Sequence, residues 1–293
     1  MATTNTSIII TSTTPTVAFT TPPIYAGRLA HLLTVKGFNP LSSPTLIVQY
    51  TPSTTSALKP YLSPPSLDLF SAIAFPSRTA IAAFSAAADD IAPPLLSADG
   101  EAFTVAALGK DSELIDDNFA RKLCQDRGRV RILIPPIATP TGLVQSLGDG
   151  GGRRVLCPVP VVLGLTEPPV VPDFLRELGA GNWVPVRVNA YETRWAGPEC
   201  AEQVVKKIKE GDLDAIVFTS TAEVEGLLKS FKEFGLGWES VKNWCPKLLV
   251  AAHGPITAAG AKMLGVRVDL VSSQFHSFQG VVDSLHSEIS RLR

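Results

Sequence analysis

Apolar residues in the second half of the chain follow two alternating periods. Asp214 to Phe218 is a short apolar run rich in β-forming side chains, and Leu248 to Ala251 and Val266 to Val271 repeat that texture. Between them, Thr221 to Phe231 places Val224, Leu227, Leu228 and Phe231 at i, i+3, i+4 and i+7, one face of a helix. Ile256 to Leu264 reads as a second helix. Gln274 to Leu292 reads as a third, with Phe278, Val281, Val282, Leu285 and Ile289 on one stripe. Strands alternating with helices predict parallel, doubly wound sheets. Continuous apolar strands predict sheets covered on both faces.

The series occurs twice. Ala72-Ile73-Ala74-Phe75-Pro76-Ser77 reads against Ala215-Ile216-Val217-Phe218-Thr219-Ser220, and Val105-Ala106-Ala107-Leu108-Gly109 against Val250-Ala251-Ala252-His253-Gly254. Gly142-Leu143-Val144-Gln145-Ser146-Leu147 matches Gly280-Val281-Val282-Asp283-Ser284-Leu285, with Val130-Arg131-Ile132 and Val266-Arg267-Val268 before them. Tyr50, closing Ile47-Val48-Gln49, falls opposite Tyr191, closing Val188-Asn189-Ala190. The matches keep their order at a separation of about 140 residues, too long for a solenoid repeat and suited to two similar domains. Gly148-Asp149-Gly150-Gly151-Gly152 lies between the copies and reads as a flexible linker.

Composition narrows the function. At 45% hydrophobic and 18% charged over 293 residues, the chain is globular and long enough for two cores. A net charge of -1 provides no global field for nucleic acid or an anionic membrane, so an anionic partner must be held by local groups. Cys124, Cys157, Cys200 and Cys245 make no C-x-x-C and no zinc spacing with histidine, and read as thiols in a reducing compartment. No apolar run is long enough to span a bilayer. Met1 to Pro15 is rich in Ser and Thr and uncharged, unlike a signal peptide or a mitochondrial presequence; it reads as a short plastid transit segment or a tail. The expectation is a soluble intracellular protein of the plastid stroma or cytoplasm.

Known catalytic signatures are missing. The chain has no phosphate loop, no G-x-G-x-x-G turn after a first strand and no G-x-S-x-G elbow. His31, His253, His276 and His286 form no H-E-x-x-H, and the pairs Asp89-Asp90 and Asp116-Asp117 read as solvated charge. The loops that follow the apolar strands carry small hydroxyl residues instead: Thr20-Thr21, Ser77-Arg78-Thr79, Gly109-Lys110-Asp111-Ser112, Thr219-Ser220-Thr221 and Gly254-Pro255-Ile256-Thr257. Each hydroxyl is first of all an N-cap candidate. Several helix starts around one cleft would also bind carboxylates through backbone N–H groups.

Taken in order, these segments resemble the uroporphyrinogen-III synthase family. The resemblance rests on Phe218-Thr219-Ser220 at a strand end, then Ala251-Ala252-His253-Gly254-Pro255-Ile256-Thr257, then a closing strand and long helix. Val186 to Thr193 resembles the family's strand ending in tyrosine-x-threonine, and Val17-Ala18-Phe19-Thr20-Thr21-Pro22 its opening strand. The resemblance implies an α/β fold of two similar doubly wound parallel-sheet lobes joined by a two-stranded connector. It assigns 1–45 plus 191–293 to one lobe and 46–190 to the other, with Tyr50 and Tyr191 near the connectors. It further implies a monomer that takes a linear tetrapyrrole with eight carboxylates, hydroxymethylbilane. The family loses water from it and closes it to uroporphyrinogen III with the last ring inverted, using no metal and no organic cofactor. Tyr191, as general acid, and Thr257 are then the catalytic candidates. Thr20, Thr21, Ser77, Arg78, Lys110, Ser112, Thr219, Ser220, Gly254 and Pro255 are the substrate-binding candidates.

The chain departs from the family pattern at Thr21, where an arginine is frequent, at Pro76, at Lys110-Asp111-Ser112 and at His253. Two other readings therefore stay open: a non-catalytic, two-lobed paralogue that binds tetrapyrroles or other anions, and an α/β transferase for another anionic metabolite.

Overall fold

The computed structural model describes residues 14–274 and 277–292; most of the Ser/Thr-rich N-terminus and His276 lie outside the described residues. In chain order the strands are β1 Thr16–Phe19, β2 Asn39–Ser42, β3 Leu46–Gln49, β4 Ala72–Phe75, β5 Phe103–Ala107, β6 Val130–Leu133, β7 Arg154–Leu163, β8 Val184–Trp195, β9 Ala215–Phe218, β10 Leu249–Ala252 and β11 Leu270–Val271. They form a five-stranded sheet, β11-β10-β9-β1-β2, and a six-stranded sheet, β3-β8-β7-β4-β5-β6. The chain divides into two compact units, Met1–Leu46 with Ala196–Arg293 and Ile47–Trp195. It passes from the first to the second in β3 and returns after β8, and these two strands are neighbours in the six-stranded sheet.

In the five-stranded unit the pairs β2–β1, β1–β9, β9–β10 and β10–β11 are parallel. Alternate side chains enter two cores: Ala18, Ile216, Phe218 and Val250 on one face, and Val17, Phe19, Ala215, Val217 and Ala251 on the other. Burial of both faces explains why the strands read as continuous apolar runs. The six-stranded unit repeats the arrangement, with Ile73, Phe75, Val105 and Ala107 on one face and Ala72, Ala74, Ala106 and Val155 on the other. Its pairs β8–β7, β7–β4, β4–β5 and β5–β6 are also parallel. The sheet orders correspond when β8, β7, β4, β5 and β6 are set against β2, β1, β9, β10 and β11. The second unit is thus a circularly permuted copy of the first. This places the repeat Ala72–Phe75 against Ala215–Phe218 at equivalent central strands.

Three local expectations change. The strand expected over Val266 to Val271 is reduced to β11, because Val266 belongs to a helix stop. Gly265, at φ +80, donates to Lys262 O and Val266 donates to Ala261 O, closing the helix Pro255–Met263. The last helix spans Phe278–Leu292 rather than starting at Gln274, whose N–H donates to Ser272 Oγ in a turn. The glycine run is an ordered turn inside the six-stranded unit, not a linker between domains. Gly150 N donates to Gly181 O at 2.8 Å, Gly152 N to Asn182 O at 2.7 Å, and the Trp183 indole N–H to Gly148 O at 2.9 Å.

A Cβ built on Gly150 would lie 2.6 Å from Asn182 O and from the Trp183 backbone and ring. Gly150→Ala is therefore expected to lower unfolding free energy by about 1–3 kcal/mol, as read from urea denaturation. An unchanged midpoint would mean that the turn is loosely held.

Candidate active site

Parallel strands bring their carboxyl ends to one edge of each sheet, where loops lead into helices. In the five-stranded unit that edge is organised by a residue the sequence reading passed over. Glu223, in the first turn of the helix Thr221–Glu233, is 1% exposed. One of its carboxyl oxygens accepts from Thr20 Oγ1 and from Thr219 N, both at 2.9 Å; the other is 2.5 Å from Thr219 Oγ1. Its own N–H donates to the N-cap Ser220 Oγ, and its carbonyl accepts from Thr45 Oγ1 at 3.0 Å. A single carboxyl group thus ties the ends of β1 and β9 to the helix that follows β9. The signal was present as Ser220-x-x-Glu223, the spacing of a capping box. Here the glutamate reaches past the cap residue to Thr219.

The permuted copy lacks both halves of this clamp. Pro76 stands where Thr219 stands and Ala80 where Glu223 stands, while the cap is kept, Ser77 Oγ accepting from Ala80 N. Replacement of both members together is what a coupled pair requires, since either alone would leave a buried polar group without its partner.

The clamp corrects the expected roles of several hydroxyls. Thr20 is 0% exposed and spends its hydroxyl on Glu223; Thr21 is 1% exposed and sits 3.4 Å from Thr219 Oγ1. Neither offers a hydroxyl to a ligand arriving from solvent. Thr257 is not a cap. It is the third residue of its helix, after the N-cap Gly254 and Pro255, and its buried hydroxyl donates to Thr219 O at 3.2 Å. Thr219 is accordingly the shared node, touched by Glu223, Thr21 and Thr257. Ser220 is half-buried as the N-cap, and Pro255 is exposed at the helix start.

In the six-stranded unit, β8 carries one extra residue: Val159 pairs with Asn189 and Pro160 with Tyr191, leaving Ala190 without a partner. This bulge turns Tyr191 to the face already occupied by Ala190. Both join the core beneath the helix Arg78–Asp89. The Tyr191 hydroxyl lies 2.9 Å from Ser77 Oγ, so the structure brings these two candidates together. Arg78 is engaged differently from expectation. Asp111 accepts a hydrogen bond from the Arg78 backbone N–H and faces its positive charge. The anion position at this helix start is therefore filled by the chain's own carboxylate. Burial pushes the Asp111 carboxyl up, opposed by Arg78. Ser112 donates to Gly109 O at 2.6 Å, while Lys110 is exposed. Tyr50 is half-exposed beyond the end of β3. Among the described residues, no three His, Cys, Asp or Glu side chains converge as they would on a metal ion, and no helix is long and apolar enough to cross a membrane.

Burial pushes the Glu223 carboxyl above its ordinary value of 4.5, against the hydrogen bonds from Thr219, Thr20 and Ser220 that favour the charged form. A raised folded-state value means that the folded protein holds the proton longer than the unfolded chain. The resulting stabilisation is complete below pH 4.5 and is lost as pH rises through the folded value. Glu223→Gln keeps the shape without the titration. Urea denaturation at about pH 5, 7 and 9 is expected to show a smaller alkaline loss of stability in the variant than in wild type. Parallel pH profiles would contradict the buried-carboxyl account.

The family model for uroporphyrinogen-III synthase HemD matches residues 27–281. A putative uroporphyrinogen-III synthase from Methanothermobacter thermautotrophicus is 34% identical over 125 residues, 42% of this chain and 46% of that one; the chain spans about half the length of this curated relative. Among solved structures, a mutant uroporphyrinogen III synthase from Thermus thermophilus superposes with a TM-score of 0.56 at 15% identity, covering 94% of this chain and 99% of that one. The Helicobacter pylori uroporphyrinogen-III synthetase gives 0.51 at 15% identity, covering 95% and 100%. These two structures share the fold. With the sequence pattern running through both units, the chain belongs to the uroporphyrinogen-III synthase family.

Proposed function

We propose that this chain is an active uroporphyrinogen-III synthase, closing hydroxymethylbilane to uroporphyrinogen III. One observation carries the reading: the family's pattern extends over residues 27–281 and so includes the carboxyl ends of every strand in both units except β1. In the proposed reaction the hydroxyl of the terminal hydroxymethyl group takes a proton and leaves as water, and its carbon stays on the ring as the electrophilic methylene. The resulting azafulvene cation is attacked by the substituted carbon of the last ring, and the spiro intermediate rearranges to invert that ring. The substrate also ionises and cyclises unaided, to the wrong isomer. The protein's task is then to hold the chain in one fold, catalysis by positioning. An edge stiffened by buried hydrogen bonds suits that task better than mobile side chains.

Within this reading, Tyr191 donates a proton to the departing hydroxyl, and Ser77, 2.9 Å from it, orients the phenol. Thr257 acts through Thr219 rather than on substrate, as a positioning residue. Asp111 opposes a polycarboxylate at the start of the helix Arg78–Asp89. Asp111 and Thr21, each at a departure from the family pattern, support the second reading, a tetrapyrrole-binding paralogue without turnover.

Freshly made hydroxymethylbilane incubated with purified protein, followed by oxidation and isomer analysis, separates the two. Isomer III is expected; isomer I alone would favour the binder. Tyr191→Phe keeps the ring and should fold normally, with turnover reduced about tenfold to a hundredfold. A wild-type rate would remove Tyr191 from the chemistry. Asp111→Asn is expected to lower KM by about threefold, the scale of a partly screened like-charge repulsion. An unchanged KM would place Asp111 away from the substrate.

A further inference from the structure

The five-stranded unit holds a pocket of about 220 Å³ that none of the residues named so far as substrate contacts lines. Ile24, Tyr25 and Arg28 from the helix Pro23–Val35 form one wall; His253, just past the end of β10, and Ser277 and Phe278, at the start of the last helix, form the other. Ile24 and Arg28 are one helical turn apart on a face opposite the buried Leu29 and Leu33. Long side chains on a helix lean toward its N-terminus, so Arg28 covers the turn that carries Ile24 and Tyr25. Phe278 stacks edge-on against His253, ring centroids 5.1 Å apart, and the His253 backbone N–H is fixed on Phe218 O at 2.9 Å.

The chemistry of this lining is one-sided. It holds a guanidinium, an imidazole, a phenol and a hydroxyl beside two apolar walls, and no carboxylate. The helix Pro23–Val35 contains no acidic residue at all. Arg129, Arg187 and Arg291 are each paired with a carboxylate, whereas Arg28 is in no ion pair or hydrogen bond among the described residues. An exposed arginine beside an aromatic wall matches a carboxylate carried on a flat ring, the carboxylate on the fork and the ring on the aromatic face. The volume is below the ~300–1,000 Å³ typical of a pocket for a whole small molecule. It suits one ring's acidic side chain, not an entire tetrapyrrole.

We infer that this pocket is a carboxylate subsite, with Arg28 as its charged contact, for one acetate- or propionate-bearing pyrrole ring of the substrate. The inference rests on the proposed function for the identity of the ligand. It assigns specificity to a residue of the first helix rather than to the buried Thr20 and Thr21.

Equilibrium titration with uroporphyrin, which carries eight carboxylates, tests this without turnover. Arg28→Gln is expected to weaken binding about tenfold, the scale of one lost charge-assisted hydrogen bond. Arg28→Lys should recover part of the loss, and the dependence of affinity on salt should flatten in Arg28→Gln. Arg121→Gln, an exposed arginine of the other unit, serves as the control and should bind as wild type does. Thermal melts check that each variant is folded. Binding by Arg28→Gln within twofold of wild type, an equal loss in Arg121→Gln, or no saturable binding by wild type would each overturn the inference. Isomer analysis separates the two claims. Loss of uroporphyrin binding in Arg28→Gln with only isomer I from wild type would keep the subsite and remove the synthase. Isomer III from wild type with uroporphyrin binding unaffected in Arg28→Gln would do the reverse.

Discussion

The edge of the five-stranded sheet depends on one buried carboxyl. Glu223 receives Thr20 from the end of β1 and Thr219, through both backbone and side chain, from the end of β9. Thr257 then reaches Thr219 O from the helix after β10, so three strand ends are referred to one point. Desolvation makes a charged carboxyl costly there, which is why the group is pushed toward its neutral form and why every oxygen is engaged. Thr219 Oγ1 donates to the Glu223 carboxyl and lies 3.4 Å from Thr21 Oγ1. The hydroxyl-rich loops that resemble a ligand surface in the sequence are in large part the internal wiring of this edge.

Much of the architecture was legible because burial writes a period into the sequence. The apolar runs Ala72–Phe75 and Ala215–Phe218 are central strands with both faces covered, and their repetition announces the duplicated unit. What the pattern could not convey was long-range pairing. The Gly148 to Gly152 run looks like a linker because glycine is flexible alone; it is ordered by Gly181, Asn182 and Trp183, some 30 residues later in sequence. Val266 looks like the start of a strand because a buried valine after a helix stop has the same composition. The site was legible at the level of loops and not of atoms. Ser77 and Tyr191 lie 114 positions apart, and a bulge at Ala190 decides which way Tyr191 faces. Asp111 at the start of the helix Arg78–Asp89 is likewise invisible until the fold places it.

The two units share a topology and differ in what their strand ends offer. One keeps the Thr219–Glu223 clamp and carries an acid-free pocket beside Arg28. The other has Pro76 and Ala80 in the clamp positions, seats its own Asp111 at a helix start, and sets a tyrosine hydroxyl against the N-cap serine. Duplication followed by such divergence suits a ligand whose ends are chemically unlike. A linear tetrapyrrole has a ring that ionises at one end and a ring that inverts at the other.

In the proposed synthase, positional order of the strand-end edge is the source of product identity. The most direct test is the fraction of isomer III among products formed by Glu223→Ala at a temperature where the variant is shown to be folded. Loss of the clamp should leave substrate closing largely unaided, so the fraction is expected to fall well below that of wild type as isomer I rises. A folded Glu223→Ala that keeps the wild-type isomer ratio, or a wild-type protein that yields isomer I alone, would contradict it.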